Sequence, residues 1–373
     1  MLKAGILGGG QLGRMLLQEA ANYPVETYVL ENEEDCPAAH LCHHFVKGDI
    51  NKYNDVYDFG KELDVLTIEI ESVNLEALEK LETEGVKVYP RPSALKIIKN
   101  KILQKHFYTE HQINTPPFII VQNRTELIRE TSKLPAILKL SEGGYDGRGV
   151  QLLKTANDLQ MGFDAPAVVE EWIDIDKEIA VIIGVNEEKQ SAVFPPVEMI
   201  FDPVLNLLDY QVCPAGISEE LMNQVKAIAL KSVSFFHSPG IFAVEMFISK
   251  EGRLYVNETA PRVHNSGHHT IEGNYSSQYD MLWRILLGYP FGNTAIIEYS
   301  ALVNLIGEKN AYGQARYCGL HEVLAMNNTF VHLYGKKLTR PGRKMGHVTL
   351  IGNDKQALME KARSVKRVLK VIA

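Results

Sequence analysis

The chain has 373 residues, 45% of them hydrophobic, and a formal net charge of −7. That length divides into two or three domains with a large core, and the negative balance argues against a general binder of nucleic acid or of membrane surfaces. No apolar run reaches the length of a bilayer span, no leader with a long apolar stretch opens the chain, and Cys36, Cys42, Cys213 and Cys318 form no disulfide framework, so a reducing cytoplasm is the expected location.

Residues 3–7 read as a strand, Gly8-Gly9-Gly10-Gln11-Leu12-Gly13 as a glycine turn and 14–21 as an amphipathic helix, a Gly-x-Gly-x-x-Gly pattern in its strand–turn–helix setting. The next strand, 27–30, ends at Glu31, where a dinucleotide-binding fold places the acid that holds a ribose. Helix N-termini offer N–H groups and partial positive charge to any phosphate. Dinucleotide binding, binding of another phosphate and plain tight packing therefore all stay open at this turn. Cys36, His40, Cys42, His43 and His44 crowd into the following loop; their spacing gives no two clean ligand pairs, so an ordinary polar loop is expected over a zinc site. Residues 65–73 form a buried strand ending in acids, at the edge where such sheets face a ligand crevice.

Pro90-Arg91-Pro92 marks a boundary, and Ser93 opens a helical run with Lys96, Lys99, Lys101 and Lys105, most of which are expected to be solvated. In the strand 136–140, Lys139 interrupts an apolar run and leads into Ser141-Glu142-Gly143-Gly144-Tyr145-Asp146-Gly147-Arg148-Gly149-Val150. Four glycines in the seven positions 143–149 describe a flap whose amides can close over phosphates while its side chains touch a second substrate. Residues 167–173 read as a strand running into a turn, and Glu178 precedes the apolar strand 179–185. That pattern suits an adenosine pocket, with backbone groups of Glu171, Trp172 and Ile173 on the adenine edge and Glu178 accepting ribose hydroxyls.

Glu245 sits inside the apolar run 242–247, where an acid is costly unless a cation compensates it. The strand 252–257 follows, placing Asn257 and Glu258 at its end. Two carboxylates and an amide on adjacent antiparallel strands make the hard oxygen set that magnesium takes when it also bridges nucleotide phosphates. Directly after it, Thr259-Ala260-Pro261-Arg262-Val263-His264-Asn265-Ser266-Gly267-His268 gathers a guanidinium, imidazoles and amide donors into one loop suited to anions. His269 adjoins it, and an arginine and a carboxylate beside these histidines favour anion binding over zinc.

Lys139, the Gly-Gly-Tyr-Asp-Gly-Arg-Gly flap, Glu170-Glu171-Trp172, Glu245 and Asn257-Glu258 together resemble the ATP-grasp superfamily. Gly10-Gln11-Leu12-Gly13-Arg14-Met15, the histidine loop and Arg340-Pro341-Gly342-Arg343-Lys344-Met345-Gly346-His347 narrow the resemblance, over nearly the whole chain, to the N5-carboxyaminoimidazole ribonucleotide synthetase family. The resemblance implies a mixed α/β and α+β architecture: a Rossmann-like parallel sheet domain at 1–98, an ATP-grasp domain at 99–297 with its flap at 141–150, and a small β-rich C-terminal domain at 298–373. It implies ATP and Mg2+ as cofactors, 5-aminoimidazole ribonucleotide and bicarbonate as substrates, a homodimer, and functional coupling to a mutase that takes the product.

Carried over by motif, Lys101, Lys139 and the flap residues Gly144, Tyr145, Asp146, Gly147, Arg148, Gly149 and Val150 would bind ATP phosphates. Glu170, Glu171, Trp172, Ile173 and Glu178 would bind its nucleoside. Glu245, Glu258 and Asn257 would hold the metal. Gln11, Leu12, Glu71, Arg343 and Lys344 would take the ribonucleotide with Tyr145, Asp146 and Arg148, while Arg262, His264, Asn265 and Ser266 would surround bicarbonate. Asp146, Arg262 and His264 are the expected catalytic residues, Asp146 as acceptor of the amine proton. The chain departs from the family pattern at Phe201, where a histidine is usual. A dehydrogenase explains only the first turn and Glu31; a formate-dependent glycinamide ribonucleotide transformylase or a biotin carboxylase shares the ATP residues but neither the histidine loop nor the Arg-Pro-Gly-Arg-Lys-Met-Gly-His loop. A non-enzymatic ATP-binding scaffold would leave Glu245, Glu258, Arg262 and His264 without a use.

Overall fold

The computed structural model describes residues 1–144, 149–201 and 208–373. Five parallel strands form the N-terminal sheet in the order His44–Lys47, Val25–Glu31, Leu2–Leu7, Val65–Ile68, Lys87–Tyr89. Strand order reverses between Leu2–Leu7 and Val65–Ile68, so the crevice of this doubly wound sheet opens at Gly8 and Glu69. The apolar runs at Ile6, Leu7, Leu66 and Ile68 are fully buried because helices cover both faces. The helix starts at Gln11, earlier than the sequence pattern suggests, because the glycine turn is shorter than its motif.

A four-stranded antiparallel sheet follows in the order Phe118–Val121, Ala167–Glu171, Ala136–Leu140, Val150–Leu153. Of the flap, which lies in sequence between the last two strands, Gly144, Gly149 and Val150 are described, whereas Tyr145, Asp146, Gly147 and Arg148 lie outside the described residues. The lysine-rich run is two helices, Pro92–Lys99 and Lys101–Glu110, broken at Asn100, whose side chain accepts from the N–H groups of Ile102 and Leu103. Lys105 is 3% exposed, not solvated as expected, because its helix lays that face against the small sheet.

The largest sheet has nine strands and runs Leu254–Ala260, Gly240–Ser249, Ile175–Val185, Val197–Phe201, Leu208–Cys213, Tyr299–Ile306, Lys344–Gly352, Thr329–Leu333, with Ser191–Val193 added on Ile175–Val185. Through the pairing of Tyr210 with Val303, the C-terminal segment extends this sheet, and it adds two short two-stranded sheets, Gly313–Gln314 with Leu338–Thr339 and Arg316–Cys318 with Lys370–Ile372. Helix Lys355–Val368 covers that end through Leu358, Ala362 and Val365. At the other end, Leu12, Met15 and Leu16 of the first helix pack on Tyr279, Trp283 and Leu286 of helix Gln278–Leu287, and the Trp283 indole donates to the Leu16 carbonyl at 2.7 Å. Each such fully buried large side chain contributes about 2–3 kcal/mol. That contact fixes the glycine turn against the histidine loop.

Candidate active site

Glu245 and Glu258 are direct cross-strand partners. A bulge makes this possible: Met246 pairs with Val256 and Glu245 with Glu258, leaving Asn257 as the extra residue. Asn257 and Glu258 thus lie within the strand Leu254–Ala260, not at a strand end as the sequence suggests. Consecutive residues can then serve one site: the Asn257 side chain accepts from Lys139 Nζ at 2.7 Å, and Glu258 meets Lys101 Nζ at 2.5 Å. Burial and the facing charges of Glu258 and Glu178 push the Glu245 carboxyl well above the usual carboxylate range, with Lys101 and Lys344 opposing. Lys101 holds Glu258 well below it, against burial.

No group of three His, Cys, Asp or Glu side chains converges on one point among the described residues. Two facing carboxylates are a partial ligand set, of the kind Mg2+ uses when nucleotide phosphates and water complete its octahedron. The strain of holding two acids face to face is what such a cation relieves, so the donors fit it. Glu178, on the neighbouring strand, is pushed up to about 7 by burial, with Lys139 opposing.

Beneath this pair lies a buried ionic row. Glu170 is 2% exposed and binds Lys105 Nζ through one oxygen at 2.7 Å and Lys139 Nζ through the other at 2.8 Å. Burial works against its charge, yet the two lysines outweigh burial and keep the carboxyl below its ordinary value. Glu171 turns outward to Lys133 at 2.7 Å, its N–H donating to the Pro117 carbonyl. Trp172, 47% exposed, and Ile173 follow the strand end as a connector to Ile175–Val185.

In the histidine loop, Ser266 N–H donates to His264 Nδ1 at 3.3 Å, which leaves the ring proton of the neutral imidazole on Nε2. That Nε2 faces Glu245 Oε1 across 3.6 Å. Ser266 is fully buried, its hydroxyl 2.8 Å from the same Nδ1, so it orients His264 instead of lining the cleft. Asn265 is 8% exposed, and neither polar atom of its amide has a partner among the described residues. An orphaned buried amide of this kind is satisfied by a ligand or by water. Arg262 Nε lies 2.9 Å from Glu71 Oε1, tying the loop to the end of the parallel sheet.

Gln278, absent from the sequence reading, clamps this loop. Its Oε1 accepts from His264 N–H at 2.9 Å and its Nε2 donates to the His264 carbonyl at 2.8 Å. Gly267 is required for that approach, since a Cβ there would stand 2.4 Å from Gln278 Oε1. Substituting Gln278→Ala orphans two partly buried backbone groups and is expected to lower stability by about 1–3 kcal/mol, read as a drop in the denaturant midpoint. An unchanged midpoint would show that water replaces the clamp at no cost.

At the first glycine turn, Glu69, just past the strand Val65–Ile68, reaches across the crevice. It accepts from Gly10 N–H and, at 3.0 Å, from Leu12 N–H, while Gly9 N–H donates to Glu31 at 3.0 Å. A carboxylate of the chain therefore already holds the N–H groups of the helix start. Burial raises the Glu69 carboxyl despite those donors. From the C-terminal segment, Lys336 Nζ donates to Gln11 Oε1 at 2.7 Å and to the Lys344 carbonyl at 2.9 Å, bringing the Arg-Pro-Gly-Arg loop to the turn. Arg343 spends one guanidinium N–H on the Leu338 carbonyl. Lys105, Gln278, Glu69 and Lys336 are the site's residues that sequence reasoning missed. Lys105 left a signal in its four-residue spacing from Lys101 on one helix face, and Glu69 in its place among the acids that end the strand 65–73.

Two expected peripheral features resolve into packing. In the cysteine–histidine loop, Cys36 is buried, His43 lies 2.9 Å from the Thr27 hydroxyl and His44 pairs with Glu26 at 2.7 Å, so the side chains face different neighbours. Phe201 packs beside Val197, Met199 and Cys213. No described helix is long and apolar enough to cross a membrane.

Family models match three consecutive stretches: a ribonucleotide synthetase preATP-grasp domain over residues 1–99, an ATP-grasp domain over 106–279 and a phosphoribosylaminoimidazole carboxylase C-terminal domain over 300–361. The chain is 33% identical over 378 residues to the N5-carboxyaminoimidazole ribonucleotide synthase of Aquifex aeolicus, covering 99% of this chain and 98% of that one. It spans 64% of the length of the longer chloroplastic phosphoribosylaminoimidazole carboxylase of Vigna aconitifolia. The crystal structure of the synthetase from Thermotoga maritima superposes with a TM-score of 0.93 at 36% identity, covering 100% of both chains. The Aspergillus clavatus synthase in complex with ADP and 5-aminoimidazole ribonucleotide does so at 0.89 and 30%, covering 98% of this chain and 99% of that one. Likeness in sequence and in fold runs through all three segments, and the chain belongs to the N5-carboxyaminoimidazole ribonucleotide synthase family of ATP-grasp carbon–nitrogen ligases.

Proposed function

We propose that this chain joins bicarbonate to the amine of 5-aminoimidazole ribonucleotide, with ATP cleaved to ADP and phosphate, to give N5-carboxyaminoimidazole ribonucleotide in purine biosynthesis. The observation that carries this reading is the bulged pair Glu245 and Glu258, with Lys101 and Lys139 on one side and His264 on the other. Lys101, Lys139 and the flap from Gly144 to Val150 hold the ATP phosphates; Glu170, Glu171, Trp172, Ile173 and Glu178 hold the nucleoside. Glu245, Glu258 and Asn257 hold Mg2+, which when bound offsets charge on the transferring phosphoryl group.

A bicarbonate oxygen attacks the γ-phosphorus as the bond to the ADP oxygen breaks, forming carboxyphosphate. Its C–O bond then breaks to phosphate and CO2, and the amine nitrogen forms the new N–C bond while its proton passes to Asp146. Arg262 and Asn265 hold the carboxylate oxygens, and His264 offers its Nε2 proton toward the same space. Closure over the site excludes water from carboxyphosphate. Since Glu69 takes the N–H groups of Gly10 and Leu12, the ribonucleotide phosphate is read as meeting the side chains of Gln11, Lys344, Arg343 and Lys336, with Glu71, Tyr145, Asp146 and Arg148 along the rest of the ligand. We further read the chain as a cytoplasmic homodimer whose unstable product passes to a mutase.

The test is ADP release with Mg-ATP and bicarbonate, with and without 5-aminoimidazole ribonucleotide, against glycinamide ribonucleotide plus formate as control. Stimulation by the aminoimidazole nucleotide alone is expected; stimulation only by the control pair overturns the substrate assignment. Glu178 adds a pH signature. Pushed up to about 7 by burial, it accepts ribose hydroxyls fully only when ionised, so ADP affinity is expected to rise as pH increases through about 7 and to lose that step in Glu178→Gln. A step that persists in the variant would remove Glu178 from the nucleoside pocket.

A further inference from the structure

We propose that Lys105 is a positioning residue for the nucleotide: as the second buried partner of Glu170, it leaves the charge of Lys139 uncancelled for a polyphosphate. This rests on the ATP reading above and adds a residue to it. Lys105 and Glu170 are 3% and 2% exposed, and their 2.7 Å contact is closed off from solvent. Lys105 also donates to the Thr115 hydroxyl and lies 5.7 Å from the centre of the Phe118 ring, so with Glu170 it is held from three sides.

Charge balance around Glu170 sets the role of Lys105. Glu170 carries one negative charge and touches two ammonium groups, so the row Lys105, Glu170 and Lys139 carries one net positive charge. Without the charge of Lys105, Glu170 cancels Lys139 and the row is neutral. Only the charged row attracts phosphates, and in a site screened from water that difference is large. Asn257, the other partner of Lys139, is neutral and leaves this balance untouched.

Lys105 can itself lose its charge within reach of experiment. Burial pushes its ammonium down to about 8, with Glu170 opposing and Lys139 and Lys101 adding to the fall. Among the described residues these three are the charged groups that weigh most on it, from the two neighbouring strands and from its own helix. Below about pH 8 the row is positive and above it neutral, so affinity falls as pH rises. This is opposite in sign to the step assigned to Glu178.

The experiment is calorimetric titration of the full chain with ADP in a chelator, which removes any metal at Glu245 and Glu258, over about pH 6.5 to 9.5, corrected for ionisation of ADP. The wild-type affinity is expected to fall roughly ten- to a hundredfold through about pH 8. Lys105→Arg, whose guanidinium stays protonated, is expected to hold its affinity to the end of the range. Lys105→Met is expected to bind at pH 7 as weakly as the wild type binds at pH 9. A wild-type profile with no fall above pH 8, an Arg variant that falls like the wild type, or a Met variant that binds normally at pH 7 overturns the proposal and leaves Lys105 a structural ion. Should the Met variant not fold, the wild-type and Arg profiles decide. A wild-type chain that binds no ADP at any pH overturns the nucleotide reading and this inference with it.

Discussion

Glu258→Gln is expected to slow ADP release by at least about a thousandfold, a loss that added Mg2+ does not restore. The side chain is nearly isosteric, so what goes is the charge that faces Glu245 across the bulge and meets Lys101 at 2.5 Å. One carboxylate then remains where two are read as holding the cation, and the positive charge that offsets the transferring phosphoryl group is poorly placed. A variant within tenfold of the wild type at saturating Mg2+ would assign the metal to other residues.

The same pair makes the metal-free protein sensitive to pH, and the sign follows from Glu245. Burial and the facing charges raise its carboxyl above its unfolded value, so between the two values the folded chain holds a proton that the unfolded chain has released. Stability from this group is therefore fully present below the ordinary carboxylate range and is lost as pH rises through the raised value. Thermal unfolding in chelator is expected to show a midpoint that declines over roughly pH 5 to 8, with a smaller decline in Glu245→Gln. Mg2+ with ADP should reverse the trend, because cation binding requires the ionised acid. Equal slopes in wild type and variant would place the pH dependence elsewhere.

Arg262→Met is expected to lower kcat by roughly a hundred- to a thousandfold while ADP affinity stays within about threefold. Arg262 lies 2.9 Å from Glu71 and belongs to the same loop as Asn265, whose buried amide has no partner among the described residues. Its guanidinium is read as holding bicarbonate and the carboxyphosphate formed from it, neither of which contributes to ADP binding. The variant should also release ADP with less stimulation by 5-aminoimidazole ribonucleotide, since a poorly held intermediate is lost to water. A parallel loss of ADP affinity and kcat would instead make Arg262 part of the nucleotide pocket or of the fold.

Much of this site is legible in local pattern. A lysine inside the apolar run Ala136–Leu140, an acid inside Gly240–Ser249 and a glycine turn between strand and helix each violate the composition of their element, and such violations cost stability unless a site uses them. Where both partners lie close in sequence, as His264 and Ser266 do, residue type and spacing also indicate the contact.

The remainder depends on contacts between residues far apart in the chain. Lys101 finds Glu258 across 157 positions, Gly10 finds Glu69 across 59, and Gln11 finds Lys336 across 325. No local propensity encodes these meetings; they follow from which helix faces pack together and in what strand register. The bulge at Asn257 is the sharpest case, because a single extra residue changes which side chains share a face. Lys105 reads as a solvated helix residue until the small sheet is laid over it. Family membership, the order of the elements and the residue types available for the chemistry are thus written in local sequence. Which charges are buried together is settled by packing across the fold, since burial and pairing are properties of packed surfaces and shift the protonation of Glu245, Glu178 and Lys105.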